Sequence, residues 1–381
     1  MEDALAHLKQ LAIATDGVER QRLMSSLHKL AYSLETPDDT LHRYGAMNLQ
    51  TASIKIGFDL RIFKFLTENE SARTLNEISA MASADAVLIG RILRYLVAIG
   101  AIEEISHDQF AANQLTRNLA ENVTEAGVSH YFETVSAQYQ ALPGFLKKTS
   151  YANPACDTRT VFQEAWDTEL HAFSWFSSHP QNLKYFNDFM AFRREADLSW
   201  LRVYPVRERA EGWSSDRPLY VNIGGGVGHQ CAQFKEHFPD IPGRVVLQDL
   251  PHSIAKALPT AGVQNMAHDF FEPQPIKGAK FYYIRGVLHN HPHGKVLKLL
   301  ENTKAAMTEE SVLLIDEMIL PTVGAHVDAL SMDLTMMSAF AGMERTETQW
   351  STLLDEAGLK LVKTYLYNPV SHENVMEVCL A

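Results

Sequence analysis

LYVNIGGGVGHQCAQFKEHFP, from Leu219 to Pro239, reads as a short apolar strand, a glycine-rich turn and a helical segment in direct succession. Glycines at a strand-to-helix turn let the backbone approach a ligand closely, and the helix N-terminus behind them favours an anionic group such as a carboxylate. Gly224, Gly226 and Gly228 run as G-x-G-x-G, which is not the dinucleotide spacing G-x-G-x-x-G. The next run, RVVLQD, ends in Asp249, about where an acid would grip two ribose hydroxyls. Further on, HDFF (His268 to Phe271) follows another expected strand and offers Asp269 and two aromatics, suited to the edge and face of an adenine. The plain alternative is a tight turn with an ordinary acid at a strand end.

Working outward, short apolar runs alternate with helical stretches: LYVNI, RVVLQD, KFYYIRGVL (Lys280 to Leu288) and SVLLIDEMIL (Ser311 to Leu320). Strands separated by helices imply right-handed crossovers and a parallel doubly wound sheet. The last two runs, LKLVKTYLY (Leu359 to Tyr367) and VMEVCL (Val375 to Leu380), are joined by only NPVSHEN, too short for a crossover helix. An antiparallel hairpin at the end of the sheet is expected there.

Up to about residue 200 the pattern is helical, with apolar residues three and four apart. Within it, Thr74 to Leu119 reads as helix, turn, helix and short hairpin, a winged-helix pattern. The second of those helices, around Ala84 to Ile99, offers only Arg91 and Arg94 as cations, and the formal charge of the chain is -12. Groove binding depends on neutralising phosphates, so a structural or dimerising role is expected rather than nucleic-acid binding or winged-helix regulation. The expected division is a domain at 1–200, containing the winged-helix element, and a second at 201–381.

Hydrophobic content of 46% and charged content of 21% fit a globular protein. Three widely spaced cysteines, with no CxxC pair, argue against a disulfide framework or a structural zinc site and fit a reducing cytosol. The N-terminus lacks a basic and apolar leader, and no apolar run reaches roughly 18 residues, so neither a signal peptide nor a membrane span is expected.

VNIGGGVGH, VVLQDLP, MAHDFFEPQP, GAKFYYIRGVLH, LLIDE and MERTETQW, in this order, resemble the S-adenosylmethionine-dependent small-molecule O-methyltransferases, specifically their fungal branch. YSLETPDDT (Tyr32 to Thr40) and IGFDLRIFKFL (Ile56 to Leu66) are similar to that branch's N-terminal helical domain. The resemblance implies a class I methyltransferase fold, Rossmann-like and ending in the antiparallel hairpin, preceded by an all-α domain that completes a homodimer. It places S-adenosylmethionine against Gly224, Gly225, Gly226, Asp249, Leu250, Asp269, Phe270 and Arg285. It also implies that His289 takes the proton from a substrate hydroxyl while Glu317 and Glu344 orient it. A phenol titrates near 10, so a free phenolate at neutral pH costs about 4 kcal/mol, which a positioned base reduces.

LHNHPH (Leu288 to His293) raises a metal reading, because His289, His291 and His293 would share one face of a strand. Pro292 breaks such a strand, so no metal is expected, and His291 and His293 are expected in a solvated loop. Asn222 and Asn290 stand where the resemblance calls for acids. That departure keeps open a second branch of the same family, methyltransferase-like pericyclases of the leporin type, which use the cofactor without transferring its methyl group. His130, in AGVSHYFETV, matches a pocket histidine of that branch, though a structural helix residue is an equal reading. Met190, Met336, Met337 and Phe340 fall where such enzymes bind flat aromatic or polyketide substrates; methionines at helical spacing equally suit plain core.

Overall fold

The computed structural model describes residues 2–68, 71–192 and 199–381. The chain divides into two compact units, one formed by Met1–Gln140 with Phe173–Glu195, the other by Ala141–Ala172 with Ala196–Ala381. A cut at residue 200 falls close to the last of these crossings. The stretch Ala141–Ala172 belongs with the C-terminal unit, where the Thr160 hydroxyl reaches the Ala339 carbonyl (3.4 Å) and Lys295 binds Asp157 (2.6 Å).

The amino-terminal unit is mainly helical. Asp85 starts the helix Ala86–Ala98 by accepting from the Leu88 amide (2.9 Å), and the helix buries Ile89, Leu93 and Leu96 along one face. The preceding helix, Leu75–Ala82, opens on a reciprocal Thr74–Glu77 cap. A hairpin of Glu103–Ser106 and Gln109–Ala111 follows, and its second strand also pairs with Arg73–Thr74. Helix, helix and hairpin come in the order read from Thr74 to Leu119. Phe58, Phe63, Leu66, Ile78 and Phe110 close the core beneath them. In contrast, the helices Gly17–Ser33 and Pro37–Gly45 bury no residue, and they leave Leu30 58% and Leu41 66% exposed. Among the described residues no helix is long and apolar enough to cross a membrane.

The carboxy-terminal unit is a twisted sheet with helical layers. Its strands are β1 (Pro218–Ile223), β2 (Arg244–Asp249), β3 (Val263–Ala267), β4 (Phe281–Arg285), β5 (Val312–Leu320), β6 (Leu359–Asn368) and β7 (Glu373–Leu380). Their spatial order is β6-β7-β5-β4-β1-β2-β3, with the short strand Arg345–Thr346 pairing parallel to the end of β5. From β1 to β5 the pairs are parallel, and β7 pairs antiparallel with both β5 and β6. The expected doubly wound sheet and terminal hairpin are both present.

β1 is buried along its whole length, as a central parallel strand covered on both faces must be. Val221 and Ile223 enter one apolar layer with Tyr282 and Ile284, while Tyr220 enters the other with Phe281 and Tyr283. The chain leaves β1 toward β2 on one side and later returns through β4 on the other. The carboxyl ends of β1 and β4 therefore flank the switch point, where an open sheet of this type presents its ligand crevice.

Candidate active site

At the end of β1, Gly224 and Gly226 adopt left-handed φ values of 67° and 62°, which a residue without Cβ takes up freely. A Cβ on Gly224 would lie 3.0 Å from Val287 Cγ2 and 3.4 Å from Phe270 Cε1. The glycine turn, HDFF and the loop after β4 thus meet at one point. The Gly226 amide donates to Asp249 Oδ2 and the Leu250 amide to Oδ1, both at 2.8 Å. Each carboxylate oxygen keeps a lone pair for a ribose hydroxyl, so Asp249 can brace the turn and hold a ligand together.

Asp269 is exposed and accepts from the Phe271 amide (2.9 Å); Leu250 is exposed, and Phe270 packs edge-on against Phe271. Arg285 ends β4, and its guanidinium lies 3.5 Å from Asp316 and 3.9 Å from Glu373. Asn222 is 1% exposed and lies under Gly225, whose Cβ would come 2.5 Å from Asn222 Nδ2. An acid there would be a buried charge beneath the turn, and the amide avoids that cost.

His289 sits on a 3-10 turn, Leu288–Asn290, directly after β4. Buried Glu317, from β5, caps this turn: its Oε1 accepts from the Val287 (3.0 Å) and Leu288 (2.8 Å) amides. Adjacent strand residues face opposite ways, so neighbouring Asp316 turns into the other layer, where the Tyr283 and Tyr367 hydroxyls bind it. His289 Nδ1 is 2.6 Å from Glu344 Oε1 and 3.8 Å from Glu317 Oε2.

Glu344 is placed by the end of the helix Val327–Phe340. Ala341 takes a left-handed φ of 53° there, Gly342 follows, and the Glu344 amide then donates to Asp333 (2.8 Å). The Met343 amide donates to the His289 carbonyl (3.2 Å). A Cβ on Gly342 would lie only 1.9 Å from that same oxygen, so the two loops touch backbone to backbone.

Burial works against the charged form of His289, but the Glu317 and Glu344 carboxylates outweigh it and hold its pKa up at about 9. Burial raises the Glu317 pKa. Because a carboxylate accepts at Nδ1, that nitrogen carries the proton in the neutral ring. Nε2 is then the basic atom, and it faces Gly286, 3.9 Å from where a Cβ there would lie. His289, Glu317 and Glu344 have ligand-type atoms within 4.8 Å of one another. The hydrogen bonds above account for that closeness.

The remaining histidines of LHNHPH differ from expectation in one case. His293 is exposed, opening the helix His293–Lys304 and pairing with Glu356 (2.8 Å). His291, expected in solvent, is instead buried, edge-on to Phe270 and Phe271, with burial as the main cause of a pKa pushed down to about 4. The turn points His289 at Glu344 and packs His291 against Phe270 and Phe271, an arrangement that strand alternation does not describe. Asn290 donates its side-chain N–H to the Gly286 carbonyl (2.9 Å), a bond that an aspartate carboxylate could not make.

In the amino-terminal unit, His130 ends the helix Asn122–His130, just before a π-helical turn, Tyr131–Val135. The rings of Phe186, Phe189, Phe176 and Tyr131 surround it at 5.5, 6.2, 6.4 and 6.0 Å. Burial pushes its pKa down to about 4, and its Nδ1 has no partner among the described residues. Met190 is half-buried in the same unit. In the other unit, Met336 and Phe340 are buried and Met337 half-buried on the helix Val327–Phe340, with the Phe340 ring 5.7 Å from His171.

Val287, Gly342 and Arg345 were not singled out from sequence, although each touches or backs a predicted residue. For Gly342 a signal existed: it stands two positions before the acid of MERTE.

Residues 161–360 match the O-methyltransferase domain model. The chain is 41% identical to the O-methyltransferase ucdC of Aspergillus ustus, over 95% of this chain and 94% of that protein. It is 36% identical to the demethylsterigmatocystin 6-O-methyltransferase of Aspergillus parasiticus, over 97% and 95%. A solved structure described as a pericyclic reaction enzyme superposes with a TM-score of 0.91 at 34% identity, covering 100% of this chain and 99% of that one. S-adenosylmethionine is the cofactor of this family, and a solved relative carries it. The cradle of Gly224, Asp249 and Phe270 fits that cofactor, since any side chain on Gly224 would crowd Val287 and Phe270. The chain belongs to the fungal S-adenosylmethionine-dependent O-methyltransferase family.

Proposed function

We propose that this protein methylates a hydroxyl of a fungal secondary metabolite, an aromatic or enolic polyketide-type acceptor, with His289 as general base and Glu317 and Glu344 orienting it. The observation that carries this reading is the His289 Nδ1–Glu344 bond of 2.6 Å, which commits one ring nitrogen and leaves Nε2 to receive a proton. With His289 at about 9, proton transfer from a phenol crosses about one pKa unit, roughly 1.4 kcal/mol, rather than the roughly 5 kcal/mol facing an ordinary imidazole. Only the neutral ring acts as base, so kcat/KM should rise with pH up to about 9. When bound, S-adenosylmethionine supplies an electrophilic methyl group on a cationic sulfur. Gly224, Gly225, Gly226, Asp249, Leu250, Asp269 and Phe270 would hold it, with Arg285 shaping the end of β4. The similarity to a demethylsterigmatocystin 6-O-methyltransferase supports methyl transfer to an oxygen of a fungal metabolite. The test is incubation of hydroxylated polyketide aromatics with methyl-deuterated S-adenosylmethionine. Product heavier by a deuterated methyl group is expected, and its absence across phenols and enols alike would refute the assignment.

Asp249→Ala removes two hydrogen-bonded brace points and a ribose acceptor. It should weaken cofactor binding by roughly 1.5 to 3 kcal/mol, read by isothermal titration.

A second reading, cyclisation without methyl transfer, is favoured by His130. A neutral imidazole in an aromatic surround with a free Nδ1 can hydrogen-bond a substrate carbonyl without charging it. Met336, Met337 and Phe340 of the carboxy-terminal unit and, separately, Met190 of the amino-terminal unit are proposed to supply apolar contact.

The protein is further proposed to be a homodimer, with the helix–helix–hairpin module serving as a winged-helix dimerisation element rather than a DNA reader. The support is the unburied apolar residues of Gly17–Ser33 and Pro37–Gly45, which a second copy would cover. Light scattering should report about twice the chain mass of 42.8 kDa. A monomer at micromolar concentration would refute the arrangement.

A further inference from the structure

Arg345 occupies a costly place. It is 2% exposed, on the short strand beside the end of β5, with its guanidinium 5.0 Å from the Trp350 ring centre. Its one side-chain hydrogen bond among the described residues runs from Nη1 to the Met343 carbonyl (3.2 Å), and buried Nη2 has no partner among them. A guanidinium removed from water without a directly paired carboxylate is strongly disfavoured unless nearby charge compensates. Arg345 follows Glu344 directly in the chain and pairs with Ile319, two residues past Glu317 on β5, so these two carboxylates, with Asp333, are the charges that offset it. Two of these are the carboxylates that hold His289.

We infer that Arg345 is a positioning residue for the base: a permanent cation behind Glu317 and Glu344 that limits how tightly those two carboxylates retain the His289 proton. This rests on reading His289 as the base. The charge count shows why such a group is needed. Two buried carboxylates facing one imidazole would hold its proton very firmly, leaving little neutral ring to accept another. One fixed positive charge brings the set of imidazolium, guanidinium and two carboxylates to net zero. Burial lowers the Arg345 pKa, but a guanidinium starts so far above neutrality that it stays protonated across the working pH range.

The other groups near His289 do not substitute for it. Asp333, on the helix Val327–Phe340, is itself acidic and accepts from the Glu344 amide. His291, on the same loop, is held neutral by burial. Behind His291, the Lys295 ammonium is taken up by Asp157 at 2.6 Å, with His171 3.6 Å from the same carboxylate oxygen.

Arg345→Met keeps length and the packing on Trp350 but removes the charge, and Arg345→Gln removes the charge while keeping a donor for the Met343 carbonyl. The midpoint of His289 is read by NMR titration of its ring protons in the full-length protein, alongside the pH dependence of kcat/KM. The Met variant should move both midpoints up by about one pH unit and lower the rate at pH 7 by about tenfold. Arg345→Gln, neutral but still able to donate to the Met343 carbonyl, should raise both in the same way. An unmoved NMR midpoint in the Met variant overturns the inference. If the Met variant does not fold, the Gln variant decides: a raised midpoint supports the charge and an unmoved one refutes it. The NMR midpoint needs no turnover, so a shifted midpoint with a pH-independent rate would sink the base reading and leave the role of Arg345 standing.

Discussion

Replacing His289 with Ala should lower methyl transfer by roughly 10²- to 10⁴-fold while cofactor affinity stays close to that of the parent protein. The separation follows from the geometry. Asp249 and the glycine turn that would hold the cofactor are braced by their own backbone bonds, and none of these involves the imidazole. Removing the ring also leaves Glu317 and Glu344 buried without their cation, which is destabilising in itself. His289→Asn is the companion variant, because its amide can still donate to Glu344. Both variants should lose the rate, measured as turnover at saturating cofactor beside an isothermal titration. A His289→Asn protein that folds, binds the cofactor and keeps most of its rate would remove His289 from the chemistry.

Gly342→Ala should cost about 10²-fold in kcat without touching a single ionisable group, the scale expected when a catalytic group is displaced by about 1 Å. The new methyl would lie 1.9 Å from the His289 carbonyl oxygen, a backbone atom that cannot swing aside. Either the turn carrying His289 or the loop carrying Glu344 must move, and the 2.6 Å bond between them is lost or lengthened. Overpacking of this kind also costs about 1 to 3 kcal/mol of stability, visible as a lower Tm. A variant with unchanged kcat would mean that the two loops can separate without disturbing the base.

What could be read from sequence was local. The glycine turn after β1, the acid closing β2 and the terminal hairpin each announce themselves within a few residues, through turn chemistry, strand period and connection length. The trio of His289, Glu317 and Glu344 was legible only through the family resemblance, since their separations of 28 and 27 positions carry no periodic signal. Three features escaped altogether, each for its own physical reason. Burial of His291 depends on the direction of a 3-10 turn, Gly342 matters through a contact with a backbone 53 positions away, and Arg345 acts through a field at longer than ion-pair distance. Asn222 and Asn290 show the converse. Read as lost acids they argued against methyl transfer, whereas in the fold one amide lies under the glycine turn and the other ties the His289 loop to Gly286.

Methyl transfer requires the cofactor to give up its methyl group at each turnover. Mass spectrometry of cofactor and product in the same reaction reads this out. S-adenosylhomocysteine and methylated product should appear in equal amounts, rising together over many turnovers. S-adenosylmethionine that stays intact while a cyclised product of unaltered or dehydrated mass accumulates would contradict it.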